Sequence, residues 1–239
     1  MPSDGSKPMA TSRAEADILV VAALNRELTP LKKAALRSVT LVETGEGVTN
    51  AERSLESRLS RETSRAVLSI GFAGALSPAL EVGDLVIADK IPDSQGQPDA
   101  ALLKAAAAMK AEWPVHFGSA VTSDTILWQA VEKSQLAHSF GTDEVCFVDM
   151  ESTAIARVCA RHAVPFLIVR SITDLFDEDL PLDFNLCRGA DGRVDSAKVM
   201  KAALAKPRAL PRLFELQRRS KLCADRLGEF VRLLVPLIP

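Results

Sequence analysis

Apolar stretches of strand length alternate along this chain with longer stretches whose apolar residues recur at helical spacing. That succession is typical of an α/β fold with a largely parallel sheet. We predict strands at 18–23, 38–44, 66–70, 82–91, 116–122, 145–148 and 166–169, and helices at 26–37, 50–59, 101–111, 127–139, 196–205 and 213–234, with a further amphipathic helix between the last two strands. Residues 1–16 are predicted to form a flexible tail, and residues 17–239 a single domain.

The composition is that of an ordinary globular protein. Of the 239 residues, 47% are hydrophobic and 25% are charged. The formal net charge of -2 gives no reason to expect a nucleic-acid partner. No apolar run reaches the length that a membrane-spanning helix needs, and the first residues lack the apolar centre of a signal peptide. We therefore expect a cytoplasmic protein.

Neither the cysteines nor the histidines form a metal-binding pattern. The histidines show no HxxxH or HxH spacing, so a zinc site is not expected. The cysteines lack CxxC spacing and have apolar neighbours, which predicts reduced, buried thiols. These residues are Cys146, Cys159, Cys187 and Cys223.

The most informative stretch runs from Val148 to Asp174. A predicted buried strand ends in Asp149 and Glu151, a helix follows, and a second apolar strand leads to Asp174. Carboxylates at the ends of buried strands are costly to hold there, and such groups often react or bind a ligand. Because a strand-helix-strand unit places its two strand ends side by side, Glu151 and Asp174 can face one pocket.

Two further signals are weak when each is taken alone. Glu27 follows the first strand and opens its helix, where an acidic side chain also complements the helix dipole. The sequence Gly71-Phe72-Ala73-Gly74 predicts a small-residue turn, which lets a ligand approach the backbone closely. An ordinary strand-to-loop turn is the alternative interpretation.

Three segments together resemble the purine nucleoside phosphorylase and uridine phosphorylase superfamily. They read VVAALNREL, IGFAGALSPALEVGDLVIAD and VDMESTAIARVCARHAVPFLIVRSITD, in matched order and spacing. They are most similar to its methylthioadenosine/S-adenosylhomocysteine nucleosidase branch. The resemblance implies a three-layer α/β/α fold around a central mixed, partly barrel-like sheet, and a homodimer.

The resemblance also implies a role for each site residue. Asp174 would deliver a proton to N7 of the leaving purine, and Glu27 would orient or deprotonate the attacking water. Glu151 would hold the ribose 2'- and 3'-hydroxyls, with Met150 packed against the sugar. The remaining expected substrate-binding residues are Asp149, Ile126, Leu127, Phe72, Ala73 and Gly74. This chemistry requires neither a metal nor an organic cofactor.

The chain departs from that branch in several places. The branch usually has glutamate where Asp149 stands, serine where Phe72 stands and an aromatic residue where Ile126 stands. The C-terminal pattern, DEDLPLDF to KPRALPRLFELQRRSK, resembles instead the hopanoid-associated phosphorylases, a branch thought to remove adenine from adenosylhopane. The basic, amphipathic last helix fits packing on the sheet or on a dimer partner, and contact with a membrane surface is the second interpretation.

The leading hypothesis is an N-ribosyl hydrolase that acts on an adenine nucleoside with a modified 5' end. Hydrolysis is favoured because a carboxylate at Glu27 would repel phosphate. The adjacent Arg26 could offset that repulsion, so phosphorolysis stays open. The alternatives are a phosphorylase acting on adenosylhopane and a nucleoside-binding protein that has lost turnover.

Overall fold

The structure is a computed structural model that describes residues 17–34, 36–92, 94–140 and 145–238. The tail predicted at residues 1–16 lies outside these ranges. The strands are β1 (Ile18–Ala22), β2 (Val39–Glu43), β3 (Ala66–Ala75), β4 (Leu85–Lys90), β5 (Val115–Thr122), β6 (Cys146–Asp149) and β7 (Phe166–Asp174). The helices are α1 (Asn25–Ala34), α2 (Val48–Leu59), α3 (Ala100–Ala107), α4 (Ala130–Phe140), α5 (Ser152–Arg161), α6 (Ser196–Ala205) and α7 (Leu210–Leu234). Each predicted strand and helix is confirmed as an element, although several ends differ.

The seven strands form one mixed sheet that is partly closed. The strand order is β2-β1-β3-β6-β5-β4-β7, and β3 also pairs with β7. The strands β3, β6, β5, β4 and β7 therefore form a ring, from which β1 and β2 extend. The pairs β3–β6 and β4–β7 are antiparallel, and the other pairs are parallel. The mixed, partly barrel-like sheet is thus confirmed.

The small-residue turn predicted at residues 71–74 is wrong, because these residues belong to β3. Gly71 pairs with Arg170 in β7, and Gly74 pairs with both Asp174 in β7 and Val148 in β6. Pairing with β7 at both glycines, and with β6 at Gly74, holds the backbone extended there and overrides the low strand propensity of glycine. The register shifts between Ala73 and Gly74.

Helix α7 packs against α1 and the sheet. A Cβ atom at Gly228 would lie 2.6 Å from Pro30 Cβ, so the absent side chain is what allows this close approach. Leu222 of α7 is 42% exposed, so it lies outside the buried face of the helix. The buried side chains that α1 and α7 share in one apolar cluster include Leu28, Leu31, Leu227, Phe230 and Leu234.

Two findings concern the wider sequence predictions. All four cysteines are buried, as expected for reduced thiols in the core. Within the described ranges, no helix combines the length and the apolar character needed to cross a membrane.

Candidate active site

Three buried carboxylates lie around β3. Glu27 is in the first turn of α1, just after β1; Glu151 immediately precedes α5, just after β6; and Asp174 is the last residue of β7. Strands β1, β6 and β7 all pair with β3. Parallel pairing brings the carboxyl ends of β1 and β7 to one edge of the sheet, and the antiparallel pairing of β6 brings Asp149 beside the same end of β3.

Glu27 connects α1 to β3. Its Oε2 accepts a hydrogen bond of 2.7 Å from the Leu24 amide, and its Oε1 accepts one of 2.9 Å from the Phe72 amide. The side chain is buried, and this burial raises the pKa of Glu27 although both amides and Arg170 act in the opposite direction. A favourable interaction with the helix dipole does not by itself explain Glu27, because its side chain also binds the Phe72 amide of the sheet.

Asp149 and Arg170 form a buried ion pair beneath the site. Arg170 Nε donates to Asp149 Oδ2 over 2.7 Å, and the Nη atoms of Arg170 donate to the carbonyl and hydroxyl oxygens of Ser69. Asp149 Oδ1 accepts from the amides of Glu151 and Ser152 at 3.3 and 3.1 Å. These contacts favour a positioning role for Asp149, which holds the start of α5, over the predicted direct contact with a substrate.

Glu151 carries a buried carboxyl group with a raised pKa. Its Oε1 accepts a 2.7 Å hydrogen bond from the Gly47 amide, while Oε2 meets no protein donor in the described part of the chain. Burial and the nearby Asp149 raise the pKa of Glu151 to about 8, with a smaller contribution from Glu27 and opposition from Arg170. An oxygen without a protein donor in a buried site is suited to a ligand hydroxyl.

Asp174 is paired with a lysine that the sequence analysis missed. Lys133 Nζ donates to Asp174 Oδ2 over 2.8 Å and also to the Leu175 carbonyl. Asp174 Oδ1 accepts from the Thr173 hydroxyl at 2.9 Å. Burial raises the pKa of Asp174, and Lys133 opposes this shift. Gly74 borders the carboxylate so closely that a Cβ atom there would lie 2.9 Å from Oδ2.

The sequence analysis missed both Arg170 and Lys133, although the sequence contains a signal for each. Arg170 interrupts the otherwise apolar start of β7, where an unpaired charge would be costly. Lys133 lies one helical turn before Ala137, and these two are the buried positions of α4. A charged residue at a buried helical position indicates a partner elsewhere in the fold.

The other expected substrate-binding residues differ in their surroundings. Phe72 is half-buried, with the Arg26 guanidinium 5.4 Å from its ring centre. Ala73 packs in the apolar core, so its side chain does not line the site. Met150 is half-buried beside Glu151, and Leu127 packs near the ends of β5 and β6.

The Ile126 backbone is paired with Asn185 from the 3₁₀ turn at Phe184–Cys187. The Ile126 amide donates to Asn185 Oδ1 over 2.9 Å, and Asn185 Nδ2 donates to the Ile126 carbonyl over 2.8 Å. This carboxamide fixes the loop between β5 and α4. The loop therefore depends on a contact 59 residues away in the sequence.

A short hairpin lies across the loop between β2 and α2. Arg188 and Val194 form an antiparallel bridge, and the Val194 amide donates to Glu46 Oε2 over 2.8 Å. Asn50 Nδ2 donates to the Asp191 carbonyl over 3.0 Å. Because Gly47 in the same loop binds Glu151, the hairpin lies near the glutamate expected to hold the sugar.

A cavity of about 460 Å³ lies elsewhere, at the junction of α6 and α7. None of the candidate site residues lines it. Its lining residues are Pro181, Lys206, Pro207, Arg208, Ala209 and Arg212.

The chain has relatives among known proteins. A 5'-methylthioadenosine/S-adenosylhomocysteine nucleosidase of Staphylococcus saprophyticus is 27% identical over 200 residues, which cover 75% of this chain and 82% of that protein. The corresponding nucleosidase of Listeria monocytogenes is 28% identical over 176 residues, which cover 63% and 75%.

Solved structures share the fold at low identity. The nucleosidase of Helicobacter pylori superposes with a TM-score of 0.68 at 17% identity, covering 92% of this chain and 98% of that one. The futalosine hydrolase of the same organism superposes with a TM-score of 0.71 at 17% identity, covering 94% and 99%. The predicted nucleoside phosphorylase fold is therefore confirmed. Residues 32–205, well over half of the sequence, match the family described as the phosphorylase superfamily, and the chain belongs to that superfamily.

Proposed function

We propose that the protein hydrolyses the N-glycosidic bond of an adenine nucleoside that is modified at its 5' end. The observation that carries this proposal is the arrangement of Glu27 and Asp174 along β3. Glu27 binds the Phe72 amide, and Asp174 lies against Gly74. Phe72 and Gly74 are two positions apart on β3, about 7 Å along an extended strand, so the two carboxylates border neighbouring positions of one strand. The names of the curated relatives support the reaction class.

Asp174 acts as the general acid. When the C1'–N9 bond breaks, its electron pair moves onto the base, and a proton at N7 neutralises the developing negative charge. A free aspartic acid holds its proton too weakly for this at neutral pH, and burial strengthens its hold on the proton by raising the pKa of Asp174.

Glu151 and Glu27 act on the sugar side. Glu151 Oε2 is suited to the vicinal hydroxyls of the ribose, while Oε1 stays fixed by Gly47. Negative charge on Glu27 near the sugar stabilises the cation-like transition state. Glu27 takes a proton from the attacking water, and the raised pKa of its carboxyl group makes it a stronger base.

Hydrolysis is favoured over phosphorolysis by the charges around the sugar side. An ionised Glu27 would repel a phosphate dianion in a buried site. The nearby cation, Arg170, is already bound by Asp149 and Ser69. Arg26, which could have offset the repulsion, lies against the Phe72 ring.

The experiment is to measure adenine release from methylthioadenosine, S-adenosylhomocysteine and adenosine, each with and without phosphate. We expect release without phosphate, and faster release from the 5'-modified nucleosides. Asp174→Asn should lower kcat by at least about 100-fold with the fold retained. Strict dependence on phosphate would refute hydrolysis, and full activity of Asp174→Asn would refute the assigned acid.

The homodimer and the contact of the last helix with a membrane surface stay predictions. Sedimentation would measure the first, and co-flotation with anionic vesicles the second. The adenosylhopane reaction predicts poor turnover of methylthioadenosine, so the same release assay separates it from the proposed function.

A further inference from the structure

Lys133 is a fully buried cation beside the proposed acid. Its exposed fraction is 0%, and its ammonium group contacts Asp174 Oδ2 at 2.8 Å together with the Leu175 carbonyl. An apolar side chain of similar length would fill this place at a lower desolvation cost, because burying an ion pair seldom adds net stability. The cost of keeping a lysine here points to a function other than packing.

The charged surroundings leave Lys133 as the direct partner of Asp174. Glu178 approaches from the loop after β7 and disfavours ionisation of Asp174, but it is itself held by Arg219 at 2.6 Å. On the α7 side, the Cys223 thiol is directed to the Ile172 carbonyl at 3.2 Å. Arg212 is also near Glu178, at 3.9 Å. Among the described residues, Lys133 is the cation in contact with the carboxylate.

We propose that Lys133 stores the proton that neutralises the leaving base and passes it through Asp174, which alone touches the base. This inference rests on the proposed function. The Lys133 ammonium group first passes a proton to Asp174 Oδ2 and becomes a neutral amine. As the C1'–N9 bond breaks, its electron pair moves onto the base, and the Asp174 carboxyl gives this proton to N7 and is left as a carboxylate. Water adds its oxygen to C1' and gives a proton to Glu27, and the surplus proton returns to the lysine through solvent after product release.

Lys133 and Asp174 together hold one proton that can move between them. An ionised pair and a neutral pair contain the same number of protons, and a shift along one 2.8 Å hydrogen bond converts one into the other. An ammonium group in water also holds its proton to a much higher pH than a carboxyl group. The pair therefore stays loaded at a pH where a lone aspartic acid would already be ionised. Lys133 is in this sense a positioning and proton-supplying residue.

The test compares pH profiles of kcat for adenine release by the wild type, Lys133→Met and Lys133→Gln. For the wild type, we expect the loss of kcat with rising pH to lie above about pH 8. For both variants the same loss should move to lower pH by at least about 1 unit, with kcat reduced roughly tenfold or more at pH 8 but within about threefold of the wild type at pH 5.5. KM should change little, because the lysine does not touch the nucleoside. Lys104→Met, at an exposed position of α3, is the matched control and should leave the profile unchanged.

Each result bears on the proposal. If the variants lose activity equally at every pH, the lysine is merely structural and the proposal is overturned. The same follows if they stay active to higher pH than the wild type, because Lys133 would then only suppress the acidity of Asp174. Should neither variant fold, the wild-type profile still decides, since loss of kcat centred below about pH 6 would contradict a lysine store. A wild type that releases no base at any pH refutes the proposed function and this inference together, whereas an active wild type with unaltered variants refutes only the inference.

Discussion

Replacing Glu151 with glutamine should stabilise the protein at alkaline pH. Burial, followed by the proximity of Asp149, raises the pKa of Glu151 from 4.5 to about 8. The folded state therefore binds one more proton than the unfolded state between these values, and stability falls as the pH rises through them. Glutamine keeps an oxygen that can accept from the Gly47 amide, but it has no proton to lose.

The size of the Glu151 contribution to the free energy of unfolding follows from its two pKa values, 4.5 in the unfolded state and about 8 in the folded state. One extra proton bound by the folded state changes the free energy of unfolding by about 1.4 kcal/mol per pH unit. Between pH 5 and pH 8 the Glu151 contribution therefore falls by about 3 kcal/mol, allowing for partial titration at both ends. The difference in stability between Glu151→Gln and the wild type should grow by this amount over the same range. With a urea dependence of roughly 2 to 3 kcal/mol per molar, the midpoint difference should grow by about 1 M.

Urea unfolding at pH 5, 6, 7 and 8, followed by circular dichroism, measures this difference. Glu56→Gln is a control with the opposite sign, because hydrogen bonds from Arg161 and His162 hold the pKa of Glu56 below its usual value. Its removal should reduce stability at neutral pH and have less effect as the pH falls toward that lowered pKa, and the effect is small because Glu56 is partly exposed. Parallel curves for Glu151→Gln and the wild type at every pH would refute a buried, protonated Glu151.

Three further predictions concern neighbouring residues. Arg170→Met should lower the free energy of unfolding by about 3–5 kcal/mol, because it leaves Asp149 buried without its cation; Asp149→Asn in the same chain should recover part of the loss in urea unfolding, and no recovery would contradict the pairing. Gly74→Ala should reduce kcat by about 100-fold, since its Cβ would lie 2.9 Å from Asp174 Oδ2 and displace the carboxylate; unchanged kcat would place the acid elsewhere. Glu27→Gln should lower kcat by about 100-fold or more with KM nearly retained, and equal losses in binding and turnover, measured by steady-state kinetics, would argue against a base.

The strands and helices were predictable because the spacing of hydrophobic residues shows which positions are buried. The sheet and its helices both bury apolar residues. The pattern did not reveal how β3 continues through Gly71 and Gly74, because glycines carry no apolar signal and strand pairing there comes from β6 and β7. Hydrophobic periodicity also could not predict that the sheet closes into a ring, because the β3–β7 pairing joins residues about 100 positions apart. The partly barrel-like sheet was predicted from the resemblance to the phosphorylase superfamily.

The site was predictable where carboxylates stood at strand ends, as at Glu151 and Asp174. The cost of burying such groups is readable from one segment of sequence. The counter-ions of Asp174 and Asp149 were not predictable, because a partner is identified by proximity in space. Lys133 reaches Asp174 across 41 positions, and Arg170 reaches Asp149 across 21.

Strand β3 fixes the spacing of Glu27 and Asp174 independently of sequence changes in the surrounding loops. The contact with Glu27 and the contact with Asp174 lie two residues apart on one hydrogen-bonded strand, so the covalent chain sets the spacing between them. The loops after β2 and β5, together with the hairpin at residues 188–194, are joined to this strand only indirectly. Insertions or exchanges in those loops can thus alter which nucleoside fits while the distance over which bond cleavage operates stays constant. Substrate range and chemical step can diversify independently in such an architecture.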